Sequence, residues 1–435
     1  MNLIDKFDVS SMVLVSGLVA VVIAHLALVV ANHYLNPVAV LAGAFAVLAP
    51  MSVATLLPGL IAFKLMRVYV IVLGVMLGLY WLKRSRLGLL AWLWLSFGTL
   101  YWLSGAWSTS PVLALRYKWQ FLIGLAFGIL AVNTSFARGE FYQFTRCLLL
   151  SLIAVCLFLL ADMVSNPDAF LHIGRLAAWG MNPNRIGQSL APLAIIALYI
   201  ALQDPRHAIR LIGIGATVAA TILLLYTGSR GALAMFVLGA AVLIAPRVAN
   251  PMRFIAALIV AAGIVGLALY LAEGAGTQRL TTFESANRAQ PWGDAMAAFS
   301  ASPIVGQGWV STNPGTGIQS TNNAHSIYLQ TLAEVGVIGL TVLIAVVGLT
   351  LSRLYVHVKT YGVANLSKSP AILGYALTLS LLAHGAFESA TLLGTVIGTV
   401  ILGIGVGTID LYTPTRAKAR QWAAAHQQAA YPAPA

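Results

Sequence analysis

Charge is what this sequence has least of. Only 9% of the 435 residues are charged and 60% are apolar, with a mean hydropathy of +0.88. Soluble domains carry about 25% charged residues, so this chain has too few to coat the roughly three soluble domains that its length suggests. The apolar content also excludes intrinsic disorder. The composition predicts a polytopic membrane protein, whose lipid-facing surface is apolar too.

Cysteine is nearly absent. Cys147 and Cys156 lie nine residues apart in one apolar stretch. That spacing places them on opposite sides of a helix, so we expect no disulfide between them and no zinc site. The N-terminus also lacks a short signal-peptide pattern with a cleavage site, and its long apolar run is expected to remain in the mature protein.

Thirteen apolar stretches are long enough to cross a bilayer, which takes about 20 helical residues. Alternating the loops after Lys83 puts fifteen Lys and Arg residues inside and seven outside, the bias expected of cytoplasmic loops. This accounts for the net charge of +13 without nucleic acid as a partner. Pro50 and Pro58 break the stretch 37–62, which we interpret as re-entrant or fused with its neighbour. Twelve spans result; thirteen with an external N-terminus is the alternative.

The spans divide the chain into four parts. Transmembrane helices occupy 1–271 and 326–412, an outer loop occupies 272–325, and an Ala-, Gln- and Pro-rich cytoplasmic tail, predicted to be disordered, occupies 413–435. An outer loop of over fifty residues is uncommon between spans and usually functional. The loop is therefore the first place to search for a site.

An amphipathic helix is predicted inside the outer loop. Arg288, Trp292, Met296 and Phe299 share one helical stripe. Pro291 is tolerated only in a first turn, so the helix should begin near Ala289 or Gln290. It would lie flat at the membrane surface with Trp292 at headgroup level, or cap the helix bundle, and the two roles are compatible.

The outer loop ends in a histidine at the start of a membrane helix. Asn323 is a plausible N-cap, which would place His325 in the first helical turn. A helix N-terminus disfavours the imidazolium, and a neutral imidazole can accept a proton from an attacking hydroxyl. A single histidine at a helix start is more often structural. A functional role for His325 therefore depends on which other polar residues lie on the same side of the membrane.

Four arginines fall on the same outer side. Arg230 lies in the tight turn TGSRG, Arg288 on the loop helix, and Arg175 and Arg185 flank the turn Asn182–Asn184. One such arginine usually anchors topology by snorkelling, but several indicate an anionic ligand, and diphosphate suits their planar donors. The outer acidic residues form no DxD or ExxH arrangement, so we expect no metal and no cofactor.

Three further ionisable residues lie in the C-terminal spans. His384 and Glu388 are four residues apart and share a helix face, either near the site or as a buried packing pair. Glu334 lies deeper than His325, on the opposite face of its helix, and an ionisable residue at that depth requires a partner. The sequence does not identify that partner.

Together these residues resemble the bacterial O-antigen ligase and polymerase superfamily, most closely the O-antigen ligases. The resemblance rests on TGSRG, on the spacing R-x(3)-W-x(6)-F-x(3)-P-x(2)-G-x-G from Arg288 to Gly308, and on HSIYLQTLAEVG from His325 to Gly336. It covers about 170–410; the first 165 residues match only in hydropathy.

The resemblance implies an all-α membrane protein of about twelve helices with one structured periplasmic loop and a GT-C-like architecture. Such ligases move O-antigen from undecaprenyl diphosphate to a sugar hydroxyl of lipid A–core oligosaccharide, without metal or nucleotide. They do so on the periplasmic face of the Gram-negative inner membrane. The family's catalytic residues correspond to Arg230, Arg288 and His325.

Further candidates for contact with the diphosphate or the glycan are Arg175 and Arg185, which match the family pattern loosely. Four more follow from their positions in the sequence: Asn323, Trp292, His384 and Glu388. The alternatives within the superfamily are an O-antigen polymerase and a protein O-oligosaccharyltransferase. A transporter of lipid-linked sugars comes from another class, but it would place polar groups near the bilayer midplane.

Overall fold

The structure is a computed structural model that describes residues 36–52, 60–81, 87–165, 171–172, 175–248, 289–308, 324–388, 393 and 396–413. Several expectations lie outside the described residues. They concern the apolar stretches 11–31 and 252–271, Arg288, Asn323 and the tail beyond 413.

The described residues are almost entirely helical. The helices are α1 (Pro37–Met51), α2 (Leu60–Trp81), α3 (Leu89–Leu103), α4 (Pro111–Ala137), α5 (Phe141–Ser165), α6 (Pro183–Gln203), α7 (His207–Tyr226), α8 (Arg230–Ile244), α9 (Ala289–Ala301), α10 (Ile327–Lys368), α11 (Ala371–Gly385) and α12 (Val396–Tyr412). Short 3-10 turns occupy Ser104–Trp107, Ala178–Gly180 and Ala245–Arg247. Two strands of two residues each, β1 (Leu171–His172) and β2 (Arg175–Leu176), pair antiparallel.

Eight of the described helices are long and apolar enough to cross a membrane, or nine if the bent pair at 362–385 forms one span. This agrees with the predicted polytopic membrane protein. The count of twelve and the GT-C-like architecture stay predictions, because two apolar stretches lie outside the described residues.

The stretch 37–62 is neither one span nor a simple extension of the next. Asn36 caps α1, its side chain accepting a 3.0 Å bond from Val38 N, and Pro50 lies in the last turn, where a missing N–H ends the helix. The following helix, α2, runs from Leu60 to Trp81, so the last residues of the stretch belong to it. The end of α1 at Met51 agrees with the break expected at Pro50.

Glycines allow the central helices to pack closely. A Cβ built on Gly128 of α4 would lie 2.1 Å from Val400 O of α12, and one on Gly403 would lie 2.3 Å from Leu125 O. Small residues bring membrane helices together because lipid offers no hydrophobic force between them. These positions therefore fix α4 against α12 at the centre of the bundle.

Contacts between helix ends define two ends of the bundle. At one end, which we call the site end, α6, α8 and α10 begin and α11 finishes, as the contacts described below show. At the other, Arg146 of α5 binds Asp204 after α6, Arg247 after α8 donates to Ser367 O, and Arg353 of α10 binds Asp410 of α12. The chain therefore separates two sets of polar residues across an apolar bundle.

Candidate functional site

His325 lies just before α10 rather than in its first turn. The N-cap is Ser326, whose hydroxyl accepts a long 3.5 Å bond from Leu329 N, so the expected capping by Asn323 was wrong. His325 itself has φ +49°, in the left-handed region. That conformation costs an L residue about 1–2 kcal/mol, so the surrounding contacts have to hold it.

Glu388 holds the imidazole of His325. Nδ1 of His325 lies 3.3 Å from Oε2 of Glu388, and the two side chains are 36% and 15% exposed. A carboxylate acceptor favours the tautomer with hydrogen on Nδ1, which leaves Nε2 as the basic nitrogen. The arrangement can therefore supply a proton acceptor with a fixed tautomer.

His384 packs against the start of α8. A Cβ added to Gly231 would lie 2.6 Å from Nε2 of His384, whose side chain is buried. Arg230, the first residue of α8, therefore lies next to the residue that contacts His384. The sequence predicts that His384 and Glu388 share a helix face, but α11 ends at Gly385 and Glu388 lies three residues beyond it.

Gly385 brings α11 against α10. A Cβ at Gly385 would lie 2.7 Å from Cδ1 of Ile327. This close approach lets Glu388, three residues later, reach His325 at the start of α10. Arg230, His384, Glu388 and His325 therefore lie at one end of the bundle, near the ends of three helices.

Arg175 fastens the turn that carries Arg230. Its Nε donates to Thr227 O at 2.8 Å and its Nη2 donates to Asn184 Oδ1 at 2.9 Å. Asn182 caps α6 by accepting a 2.9 Å bond from Asn184 N, as the Asn182–Asn184 turn predicted. Arg175 therefore ties the starts of α6 and α8 together, a structural role that leaves its part in ligand binding a prediction.

Positive potential accumulates at the site end. Arg185 in the first turn of α6 interacts electrostatically with Glu388. The helices α6, α8 and α10 all begin here, and the N-terminus of each helix carries partial positive charge. Arg175, Arg185 and Arg230 with three helix N-termini form a region suited to an anion.

The loop helix α9 begins at Ala289, as predicted from Pro291. Ala295 and Ala298 are buried and pack with Ala324 and Ala333, while Trp292 and Met296 are 41% and 43% exposed. The helix thus packs on α10 by its small residues and leaves its large apolar side chains outward. Both predicted roles are compatible with this geometry, and the role of Trp292 in substrate binding stays a prediction.

The partner of Glu334 is Lys118 of α4, which the sequence did not identify. Nζ of Lys118 lies 2.8 Å from Oε2 of Glu334, and both side chains are almost fully buried. The same Nζ donates to Ser104 Oγ at 2.6 Å and lies 4.2 Å from the centre of the Tyr101 ring.

The helix α10 is interrupted at Gly336, whose φ of +70° and ψ of −164° are glycine-specific. The loop segment 303–308 fills this break. Val337 N donates to Pro303 O at 2.9 Å, Gln307 N donates to Ala333 O at 2.9 Å, and Gly308 N donates to Glu334 O at 3.0 Å. The outer loop is thereby built into the membrane helix that begins beside His325.

No group of three or more His, Cys, Asp or Glu side chains suited to a metal occurs among the described residues. The predicted independence from metals is a statement about activity and stays a prediction.

Residues 215–344 match the family model described as O-antigen ligase. This match supports membership of the O-antigen ligase superfamily. Members of this superfamily are glycosyltransferase-like enzymes that act on polyprenyl-linked glycans. The matched segment covers about 30% of the chain, and a comparison with curated proteins finds no match.

The matched segment, residues 215–344, contains Arg230, Arg288, His325 and Gln330. These residues are only part of the candidate site. Glu388, His384, Arg185 and Lys118 lie outside residues 215–344 and reach it through the fold. Arg288 would immediately precede α9, whose Ala295 and Ala298 pack beside Ala324, the residue before His325. Its side chain lies outside the described residues, so its contact with Arg230 stays a prediction.

Proposed function

We propose that this protein is an O-antigen ligase. It transfers O-antigen from undecaprenyl diphosphate to a sugar hydroxyl of lipid A–core oligosaccharide. The observation that supports the proposal is the pairing of His325 with Glu388, which also interacts with Arg185, at the end of the bundle where α8 begins with Arg230. A base beside an anion-binding region matches the two needs of transfer from a diphosphate.

The proposed mechanism is a single displacement. The acceptor hydroxyl oxygen attacks the anomeric carbon, the bond from that carbon to the diphosphate oxygen breaks, and Nε2 of His325 takes the hydroxyl proton. Arg230, with Arg288, offsets the negative charge that develops on the leaving undecaprenyl diphosphate. Direct attack inverts the anomeric centre.

The proposed location is the inner membrane of a Gram-negative bacterium, with the site end in the periplasm. The end opposite the site carries Arg146, Arg247 and Arg353, and Lys and Arg concentrate on the cytoplasmic side. The donor and acceptor are lipids, so both can reach the site end from the outer leaflet of that membrane.

The alternative functions differ from a ligase either in the acceptor of the glycan or in the class of protein. A polymerase or a protein O-oligosaccharyltransferase would use the same anion region and base with another acceptor. A transporter would place its polar groups near the bilayer midplane. Here His325 and Arg230 lie at helix N-termini, a placement that favours surface chemistry.

The test is transfer in proteoliposomes that contain purified protein, undecaprenyl diphosphate-linked glycan and lipid A–core. We expect Arg230→Ala to lower kcat by about 10²–10³-fold, as loss of one donor to a developing oxyanion does. We expect His325→Ala to lower it strongly as well, and transfer to survive EDTA. Arg206→Ala, an exposed arginine after α6, is the matched control and should retain activity.

The products separate the alternatives. Glycan on lipid A–core supports a ligase, whereas elongation of the lipid-linked glycan itself would identify a polymerase. Uptake of labelled donor into the vesicles without transfer would identify a transporter. Near-normal transfer by well-folded Arg230→Ala would contradict the proposed role of the arginine.

A further inference from the structure

A chain of buried polar side chains runs from the bundle interior to the residue before His325. Oε1 of Gln330 accepts a 2.9 Å bond from Ala324 N, and its Nε2 donates to Oε1 of Glu334. The other oxygen of Glu334 pairs with Lys118. Because all of these groups are buried, water offers no alternative partner and the bonds are strongly directional.

The backbone at His325 needs such a restraint. A non-glycine residue in the left-handed region persists only where its surroundings over-determine it. Glu388 restrains the ring and the Ser326 cap restrains the residue after it. Gln330 restrains the residue before it by binding the N–H of Ala324.

We propose that Gln330 is a positioning residue for His325, anchored by the buried Lys118–Glu334 pair. The inference rests on the proposed function, because it takes His325 as the proton acceptor. Only an amide of this length supplies an acceptor for the Ala324 N–H and a donor for the Glu334 carboxylate together. The Lys118 ammonium holds Glu334 in place. The position of Ala324 is therefore fixed relative to α4, which carries Lys118, and not relative to the loop.

Gln330→Met is the first variant, because Met keeps the length and volume of Gln and removes both bonds. We expect about 10²-fold lower kcat, since a shift of about 1 Å in a catalytic group costs that much, with KM for the lipid-linked donor little changed. The matched control is Gln203→Met at the opposite end, where Gln203 Nε2 donates to Ser367 O. It should leave kcat unchanged.

A double-mutant cycle distinguishes positioning from general destabilisation. If Gln330 acts through His325, Gln330→Met causes no further loss in a His325→Ala background. The full additional loss in that background would overturn the proposal. Activity retained by His325→Ala alone would instead overturn the proposed role of His325 as proton acceptor, whereas the products of transfer test the proposed function separately.

An exchange of the two side chains tests the hydrogen-bond chain itself. Gln330→Glu alone sets two carboxylates against each other and should lower kcat as Met does. With Glu334→Gln added, the new glutamate still accepts from Ala324 N, the new glutamine donates to it, and one negative charge remains near Lys118. Recovery of kcat to within about tenfold of wild type supports the proposal, and a further loss in the folded double variant overturns it.

Discussion

His325 is held from three directions. Its ring contacts Glu388, Ser326 after it caps α10, and Ala324 before it binds Gln330. Ser326 and Gln330 lie within five residues of His325, whereas Glu388 reaches it from beyond the end of α11. The left-handed backbone at His325 is therefore stabilised by local contacts and by helix packing together.

Replacing Glu388 tests the tautomer of His325. In Glu388→Gln, the amide can donate to Nδ1 and so favour hydrogen on Nε2, which removes the proposed base. We expect kcat to fall by at least about 10²-fold, the usual contribution of general base catalysis. Transfer assays at saturating donor would measure this.

Glu388→Asp provides the comparison, because it keeps the charge and shortens the reach by one methylene. It should retain more activity than Glu388→Gln. Equal losses in both variants, with equal amounts of folded protein, would contradict a role in selecting the tautomer.

The sequence predicted individual residues at the site better than their contacts. His325 and Arg230 follow from motifs, but the partner Glu388 lies 63 residues from His325 and Lys118 lies on another helix from Glu334. Asn323 and Ser326 are both competent N-caps, and only the backbone at His325 decides for Ser326. Helix packing, which a single sequence does not encode as a pattern, supplied each of these pairs.

The pattern of apolar stretches predicted well which segments form helices, but it predicted poorly where a helix is interrupted. The start of α9 at Ala289 follows from Pro291, which is tolerated only in a first turn. The start of α6 at Pro183 follows from the capping residue Asn182. The break at Gly336 lies inside a continuous apolar run, where a glycine alone gives a weak signal. It depends on loop residues 303–308, whose backbone pairs with it.

The pair of Arg146 and Asp204 joins helices at the end opposite the site, and its contribution to stability depends on pH. Burial alone would raise the pKa of Asp204, but the bonds from Arg146 Nε and Nη2, both 2.8 Å, and from Arg206 N lower it below its usual value. The stabilisation is therefore present above the unfolded pKa of about 3.9 and is lost as pH falls through the lower folded pKa.

Asp204→Asn should lower stability at neutral pH by about 2 kcal/mol, the usual value of a hydrogen bond to a charged group. The apparent Tm of purified protein, compared at one scan rate, would show the loss. The difference from wild type should shrink as the pH falls below about 4.

Glu140→Gln is the matched control at the same end. Glu140 accepts from Arg138 Nε at 2.8 Å, but both side chains are about one-fifth exposed and two residues apart. A local, partly solvated pair contributes little, so Tm should change much less. An equal loss in both variants would contradict the role of Asp204 in joining α5 to the turn after α6.

At the scale of the whole molecule, composition predicted a membrane protein. The alternation of charge between successive loops predicted which loop arginines lie at the same end of the helix bundle. Arg146, Arg247 and Arg353 lie together at the end opposite the site, as counting loops suggested. The side of the membrane on which each end lies is a separate question, which labelling can answer.

Single cysteines introduced at the two ends should differ in access from outside the cell. In a Cys147→Ser, Cys156→Ser background, Met296→Cys on α9 should react with an impermeant maleimide in cells whose outer membrane alone is opened. His207→Cys, exposed after α6 at the other end, should react only after the inner membrane is opened. The reverse pattern would place the site end in the cytoplasm.

The interruption of α10 also constrains how the chain enters the membrane. The N–H groups of Val337 and Ile338 find their acceptors on Pro303 and Ile304, not within their own helix. Inside a bilayer such groups have no water to bond, so this span is incomplete until the preceding loop has folded back against it. Insertion of the helix and folding of the loop are then one event, and a chain whose loop is delayed would hold α10 out of the membrane.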